Sequence, residues 1–376
     1  MKTRAAVLRE FERDKPYATS RPLQIEHLDL DEPSYGEVLV RIESAGVCHS
    51  DLSTIEGVLR KPLPLALGHE AAGVVEQVGP GVTRFTGGDH VVFTFVPNCG
   101  RCAPCSSGRP ALCEPGNRAN ANGTLLRDAR RLHAGDEWVS HHLGVSGFAQ
   151  YAVAAVESLV RIDDDVPLEI AAIFGCAALT GLGAVFEAAH VAPGTTVAIF
   201  GAGGVGLMAA LATEVLGASA IVVDPVRGKR EMANALGVRA TVDPGDLDAP
   251  AKIKQLTGGR GADYVIEASG NVHAFEDAIA ASAPGATIVA VGLPPGSARA
   301  QVSPTMLVAG DRTLRGSFMG SSVAQRDIPR YIELWRRGKL PVERIVSGAV
   351  GLDGLNEAMD ALASGEALRT LVHPHS

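Results

Sequence analysis

Six cysteines in a chain of 376 residues divide into a tight group of four and a dispersed pair. Cys99, Cys102, Cys105 and Cys113 follow a C-x2-C-x2-C-x7-C pattern in CGRCAPCSSGRPALC. Four thiolates that close, with Gly and Pro between them, can wrap one tetrahedral zinc ion of the closed, structural kind. A redox C-x-x-C pair or free thiols would leave cysteines unexplained. Cys48 in GVCHSDL and Cys176 in FGCAALTG lie far from that group. Each could join His69 of LGHEAAG at a more open zinc site with three protein ligands. Taken alone, a cysteine in an apolar junction is more often a packed residue than a ligand, so spacing leaves this second site open.

The chain is long enough for two domains, each with its own core. It is 46% hydrophobic and 20% charged, with 43 glycines and 22 prolines, which fits a globular protein rich in tight turns. A formal net charge of -8 argues against nucleic acid as partner, and so against a zinc-ribbon module, which comes with basic surroundings. The N-terminal MKTRAAVLRE lacks the apolar run of a signal peptide, and no stretch reaches the about 18 apolar residues of a membrane span. The expectation is a cytoplasmic protein with no membrane contact, where reduced, close-spaced thiols favour metal over disulfides.

The first 150 or so residues read as short strands between turns: LQIEHLDL, EVLVRIESAG, AAGVVEQVG and DHVVFTFV. The cysteine group and a long polar loop over about residues 114–142 interrupt them. From about Ala178 strands alternate with helical patterns, TTVAIF then VGLMAALATEVLG, SAIVVD then REMANALG. That alternation implies a parallel sheet covered by helices on both faces. The expected fold class is α/β: a β-rich first domain over 1–177 and 321–376, with a doubly wound coenzyme domain inserted at 178–320.

Gly201-x-Gly203-x-x-Gly206 follows a predicted strand and opens a predicted helix. In a dinucleotide site the first glycine makes the turn and the second admits the pyrophosphate. The third packs helix on strand. Gly204 and Val205 would lie at the same helix start. Asp224 ends the next strand, placed to accept hydrogen bonds from an adenosine ribose, and a carboxylate there favours NAD over NADP. Lys229 and Arg227 are candidates for holding the ribose or phosphates; a surface role is the plainer reading of each.

GVCHSDL, LGHEAAG, the four-cysteine run, FGCAALTG, FGAGGVG and the terminal LRTLV occur in an order and spacing that resemble the zinc-dependent medium-chain alcohol dehydrogenases. The resemblance spans essentially the whole chain, and the polar insert between Cys113 and Gly147 is similar to that of the longer, liver-type branch. It implies a GroES-like catalytic domain, a Rossmann coenzyme domain, two zinc ions per chain and NAD. Cys48, His69 and Cys176 would hold the catalytic zinc, with Glu70 behind the metal and Asp51 orienting His69. Ser50 would pass on the alcohol's proton. In many family members a histidine completes that relay three residues further on, where this chain has Ser53. His49 and Arg369 would meet the pyrophosphate and Thr180 the nicotinamide. Leu59, Phe95 and Leu293 would line a pocket for an apolar primary or aromatic alcohol or its aldehyde. TLRGSFMG resembles the strand that pairs across a two-fold axis, implying a homodimer or homotetramer. Two alternatives remain at this point. One is a dehydrogenase or dismutase that keeps NAD bound throughout, and the other is a nucleotide-sensing module without chemistry.

Overall fold

In the computed structural model, which describes residues 1–246 and 248–376, the chain divides into two units. One comprises Met1–Cys176, Val323–Glu333 and Val346–Ser376, the other Ala177–Ser322 and Leu334–Ile345. The expected division at 177/178 and 320/321 differs in the segment Leu334–Ile345, which packs with the second unit. Leu340, Val342 and Ile345 are fully buried there, and the turn Val342–Ile345 packs on helix Gly204–Val215.

The first unit has two β-layers. Strands Lys2–Leu8, Leu23–Leu30, Leu132–Ala134, Glu137–His141 and Leu65–Ala66 close into a barrel. Its core is Val7, Leu28, Leu30, Leu132, Val139 and Val153 with their neighbours. The second sheet is built on Glu37–Gly46, ten residues whose apolar run is buried almost throughout. Ala71–Val78 and Arg369–Val372 flank it, and Tyr151–Ala155 also pairs with it. The chain thus returns near its C-terminus to complete a sheet begun in its first fifty residues.

The stretch 114–142 is not one polar loop. It holds the helix Glu114–Asn122 and the strands Leu132–Ala134 and Glu137–His141. Pro115 fits the first turn of that helix, where the missing N–H costs nothing, and Gly123 closes it at φ 66. Gly135, at φ 62, turns the hairpin. The helix carries little apolar surface, so hydrophobic periodicity does not reveal it.

In the second unit six parallel strands lie in the order Ala240–Val242, Ser219–Val223, Thr196–Phe200, Ala262–Glu267, Ser282–Ala290, Thr313–Gly316. Counted along the chain this is 3-2-1-4-5-6, the doubly wound order. Its switch point lies between Thr196–Phe200 and Ala262–Glu267, at the strands' carboxyl ends. No described helix is long and apolar enough to cross a membrane.

Candidate active site

The turn after strand Glu37–Gly46 brings Cys48 to the start of helix His49–Ile55. Cys48 caps that helix, and Asp51, at its third position, reaches back so that Oδ2 accepts from the Cys48 N–H at 2.9 Å. Asp51 is fully buried, and its Oδ1 lies 2.9 Å from His69 Nδ1. One carboxylate therefore ties a cysteine's backbone to a histidine's ring. With Nδ1–H donating to Asp51, His69 Nε2 carries the lone pair.

His69 Nε2 lies 3.4 Å from the Sγ of Cys176, and the ligand atoms of Cys48, His69 and Cys176 are all within 4.8 Å of one another. All three residues are buried. Two soft sulfurs and one imidazole nitrogen converging in a buried site suit zinc with a fourth position open. A hydrogen bond from Cys176 pulls the Cys48 thiol well below its ordinary range, with His69 and the charge of Arg369 assisting. Cys176 is pushed up by Cys48 and by burial. Burial is the largest influence and opposes a charge on His69, but Asp51 and Cys48 together outweigh it and raise the ring's pKa. Ser50 Oγ stands 3.9 Å from Cys48 Sγ.

Glu70 Oε2 lies 3.2 Å from Arg369 Nη1, which also donates to the Val47 carbonyl at 2.9 Å. Both side chains are buried. Phe95 sets its ring edge-on to His69, centroids 5.5 Å apart, giving the cluster an apolar neighbour. Asn120 steadies it by donating to the Phe95 carbonyl at 2.6 Å.

The four sulfurs of Cys99, Cys102, Cys105 and Cys113 also lie within 4.8 Å of one another, with no disulfide among the described cysteines. Backbone N–H groups of Cys99 and Cys102 point at sulfurs of the group, at 3.3 and 3.4 Å. The Cys102 thiol falls to about 7, chiefly through the backbone N–H of Cys105, whereas burial lifts Cys105 to about 12. Four S donors in a closed group match a structural zinc site.

In the second unit the glycine loop leaves strand Thr196–Phe200 with Gly201 at φ 97, and Gly203 starts helix Gly204–Val215. A Cβ on Gly206 would collide with the Gly201 carbonyl, whereas one on Gly203 would meet nothing. The third glycine is thus demanded by helix packing, and the second keeps open the space a pyrophosphate would fill. Asp224 accepts from the Ala202 N–H at 2.7 Å through one oxygen and from the Val226 N–H at 2.8 Å through the other. Val205 lies in the first turn of the helix. Lys229 is half-buried; Arg227 is exposed and paired with Glu231 at 2.7 Å. Thr180 is buried in helix Ala177–Gly183. His49 is exposed and Leu59 half-buried, while Leu293 is 58% exposed.

Two neighbours escape a reading of the sequence. Arg230 donates to the Asp224 carbonyl at 2.7 Å and pairs with Asp243. His142 lies edge-on to His69, centroids 5.4 Å apart. Burial first, then the nearby His69 and Lys61, hold His142 well below the ordinary histidine pKa. Its only signal in the sequence is the pair His141-His142, inside the stretch that looks like loop.

Buried zinc-type ligands in one unit and a nucleotide loop in the other define a zinc-dependent, nicotinamide-linked oxidoreductase. Residues 34–164 match the alcohol dehydrogenase GroES-like domain and residues 204–337 the zinc-binding dehydrogenase family. The chain is 36% identical to an NDMA-dependent alcohol dehydrogenase of Amycolatopsis methanolica, over 99% of both chains. It is 35% identical to the class-3 alcohol dehydrogenase of Drosophila melanogaster, over 95% of both. Among solved structures, benzyl alcohol dehydrogenase of Acinetobacter calcoaceticus superposes with a TM-score of 0.92, at 31% identity over 99% of both chains. An alcohol dehydrogenase zinc-binding domain protein of Burkholderia ambifaria gives 0.93 at 34% identity, again over 99% of both. The chain belongs to the zinc-dependent medium-chain alcohol dehydrogenase family and is an oxidoreductase acting on alcohols and aldehydes.

Proposed function

We propose that this dehydrogenase interconverts a primary or aromatic alcohol and its aldehyde with NAD, using one catalytic and one structural zinc per chain. The convergence of Cys48, His69 and Cys176, with His69 tied to Asp51 at 2.9 Å, is the observation that carries the reading. When bound, the zinc would supply Lewis acidity that eases loss of the alcohol's proton, and the nicotinamide would take up the hydride.

The chain's own residues do the rest. Asp51 orients His69, and the Ser50 hydroxyl takes the alcohol's proton onward. Ser53 cannot finish that transfer as a histidine would, so the proton leaves through water or by a different terminal base. Phe95 and Leu59 offer apolar surface to the substrate, with Leu293 as a third candidate wall residue. The relative named benzyl alcohol dehydrogenase supports an aromatic substrate.

Asp224 selects NAD because its two oxygens, already aligned by backbone N–H groups, accept from ribose hydroxyls and repel a 2′-phosphate. Gly201, Gly203, Gly204, Val205 and Gly206 hold the pyrophosphate, with Lys229 and His49 as further cations. Arg369 Nε is buried with no hydrogen-bond partner among the described residues, which supports a share in phosphate binding. Thr180 serves the nicotinamide. Glu70 would stand behind the metal, held meanwhile by Arg369.

A second reading is favoured by the relative named NDMA-dependent: NAD stays bound and is recycled by an external acceptor. We further propose a homodimer, since Thr313–Gly316 ends its sheet with Leu314 37% exposed, and a cytoplasmic setting, which suits reduced thiols.

The test is a steady-state panel of aliphatic, aromatic and ω-hydroxy alcohols with NAD and NADP, on protein desalted beforehand. NADH appearing with added NAD and lost in Cys48→Ala supports the main reading. Cofactor retained through desalting, with turnover only when an acceptor is added, supports the second. Undiminished turnover in Cys48→Ala after full chelation sinks both.

A further inference from the structure

His142 is 2% exposed, and its Nδ1 faces Asp51 Oδ1 at 3.5 Å, the same oxygen that His69 Nδ1 meets at 2.9 Å. One ring nitrogen each of His69 and His142 and one Asp51 carboxylate oxygen lie within 4.8 Å of one another. Nδ1 of His142 is buried with no hydrogen-bond partner among the described residues. An unpaired buried ring nitrogen is costly unless it does something where it sits. The ring is held neutral by its burial, and a neutral ring with its proton on Nδ1 would turn that N–H toward Asp51 Oδ1.

The backbone goes to some trouble to hold it there. Leu143 and Ser146 both adopt the left-handed conformation, φ 54 and 53, either side of Gly144 at φ 70. Such φ values are uncommon outside glycine, and two of them in four residues mark a strained turn kept for a reason. The turn is fixed at both ends. The His142 N–H reaches the Ala66 carbonyl and Ser146 Oγ, at 3.3 and 3.1 Å. Gly147 and Phe148 donate to the Gly68 and Leu67 carbonyls at 3.0 and 3.1 Å. The segment carrying His142 is therefore stitched to the three residues that lead into His69. Gly68, at φ 94, has no room for a side chain against Phe148, so the two segments are held at contact.

The geometry points to His142 as a positioning residue: its ring N–H shares Asp51 Oδ1 with His69 and clamps the Asp51–His69 pair in the orientation that presents His69 Nε2 to the metal. Asp51 is then held from three sides, by the Cys48 N–H, by His69 and by His142. With one clamp gone the carboxylate keeps two partners but gains freedom to rotate, and His69 rotates with it. The effect falls on metal retention at Cys48, His69 and Cys176, not on the four-cysteine group.

The inference rests on that three-residue site holding zinc, which the zinc content of the unaltered protein tests by itself. Two variants separate the donor from mere bulk. His142→Leu fills the space without an N–H, and His142→Asn returns a side-chain N–H on a shorter frame. Release of zinc to a chelator is followed with a metal-binding dye, and the visible spectrum of cobalt-substituted protein reports ligand geometry. The leucine variant is expected to release one of its two zinc ions about 10–100-fold faster, the range for lost partners of metal ligands, with an altered cobalt spectrum. The asparagine variant should release zinc within about threefold of the unaltered protein, less than 1 kcal/mol. The second, slowly released zinc serves as an internal check that the first unit is folded. Unchanged release from the leucine variant would overturn the assignment, and so would equally fast release from both variants. If the leucine variant does not fold, fast release and an altered cobalt spectrum in the asparagine variant overturn it alone.

Discussion

Asp51 Oδ1 and His69 Nδ1 lie 2.9 Å apart in a fully buried pocket, with the other carboxylate oxygen on the Cys48 N–H. Asp51→Asn removes the charge that fixes the His69 tautomer. Zinc retention at this site is expected to fall about 10–100-fold, with kcat falling in parallel. Chelator-driven release measured beside steady-state rates checks both, and the four-cysteine zinc should stay in place.

On the proposed reading, the cluster of Cys99, Cys102, Cys105 and Cys113 carries structure, not chemistry. Cys102→Ser is expected to lower the zinc content from two to one and to weaken the fold. For a loss of about 3 kcal/mol the melting temperature drops by roughly 6–12 °C. Calorimetry gives the shift. The kcat of molecules still folded at 25 °C should stay close to that of the unaltered protein.

On the proposed reading, Asp224 sets the choice of coenzyme. Asp224→Ser removes a charged acceptor from the ribose and from the Ala202 and Val226 N–H groups. The loss of about 1.5–3 kcal/mol lowers kcat/KM for NAD roughly 10–100-fold. NADP should lose less, so the ratio of the two kcat/KM values moves toward NADP.

Ser53 stands where a histidine serves many family members. Ser53→His is expected to add an inflection near the ordinary histidine pKa of about 6.5 to the pH dependence of kcat. An unchanged profile would mean that protons leave by a route not passing residue 53.

His141 is buried, and its Nε2 accepts from the Arg131 N–H at 3.1 Å. Burial, then the charges of Arg131 and Arg130, lower its pKa to about 3. The folded state therefore refuses a proton that the unfolded chain accepts below about pH 6.5. Stability from the neutral ring is complete above that pH and drains away as pH falls toward 3. By pH 4 the loss reaches roughly 3 kcal/mol. His141→Gln should remove most of this acid dependence, as read from urea midpoints at pH 7 and pH 4.

Much of this protein was written locally. Four cysteines within one short run can meet whatever the rest of the chain does, and the glycine loop needs only a strand before it and a helix after it. Asp224 follows because the next strand of such a unit ends beside that loop. Local patterns failed where the pattern was weak. Helix Glu114–Asn122 carries too little apolar surface to stand out, and Leu334–Ile345 joins the second unit through burial that no periodicity announces.

The sequence by itself determined the zinc-type donors, the order of the nucleotide unit and, through resemblance, the family. Resemblance led residues 48, 69 and 176 to be expected at one site, and the tertiary structure brings them together; it alone decided that Arg369 lies against Glu70 and that His142 faces Asp51. The reason is physical. A short motif fixes contacts within a turn or two of itself, whereas these contacts cross as many as 299 residues of chain. They exist because apolar burial brings strand Arg369–Val372 and the 142–146 turn against the sheet that carries Cys48 and His69.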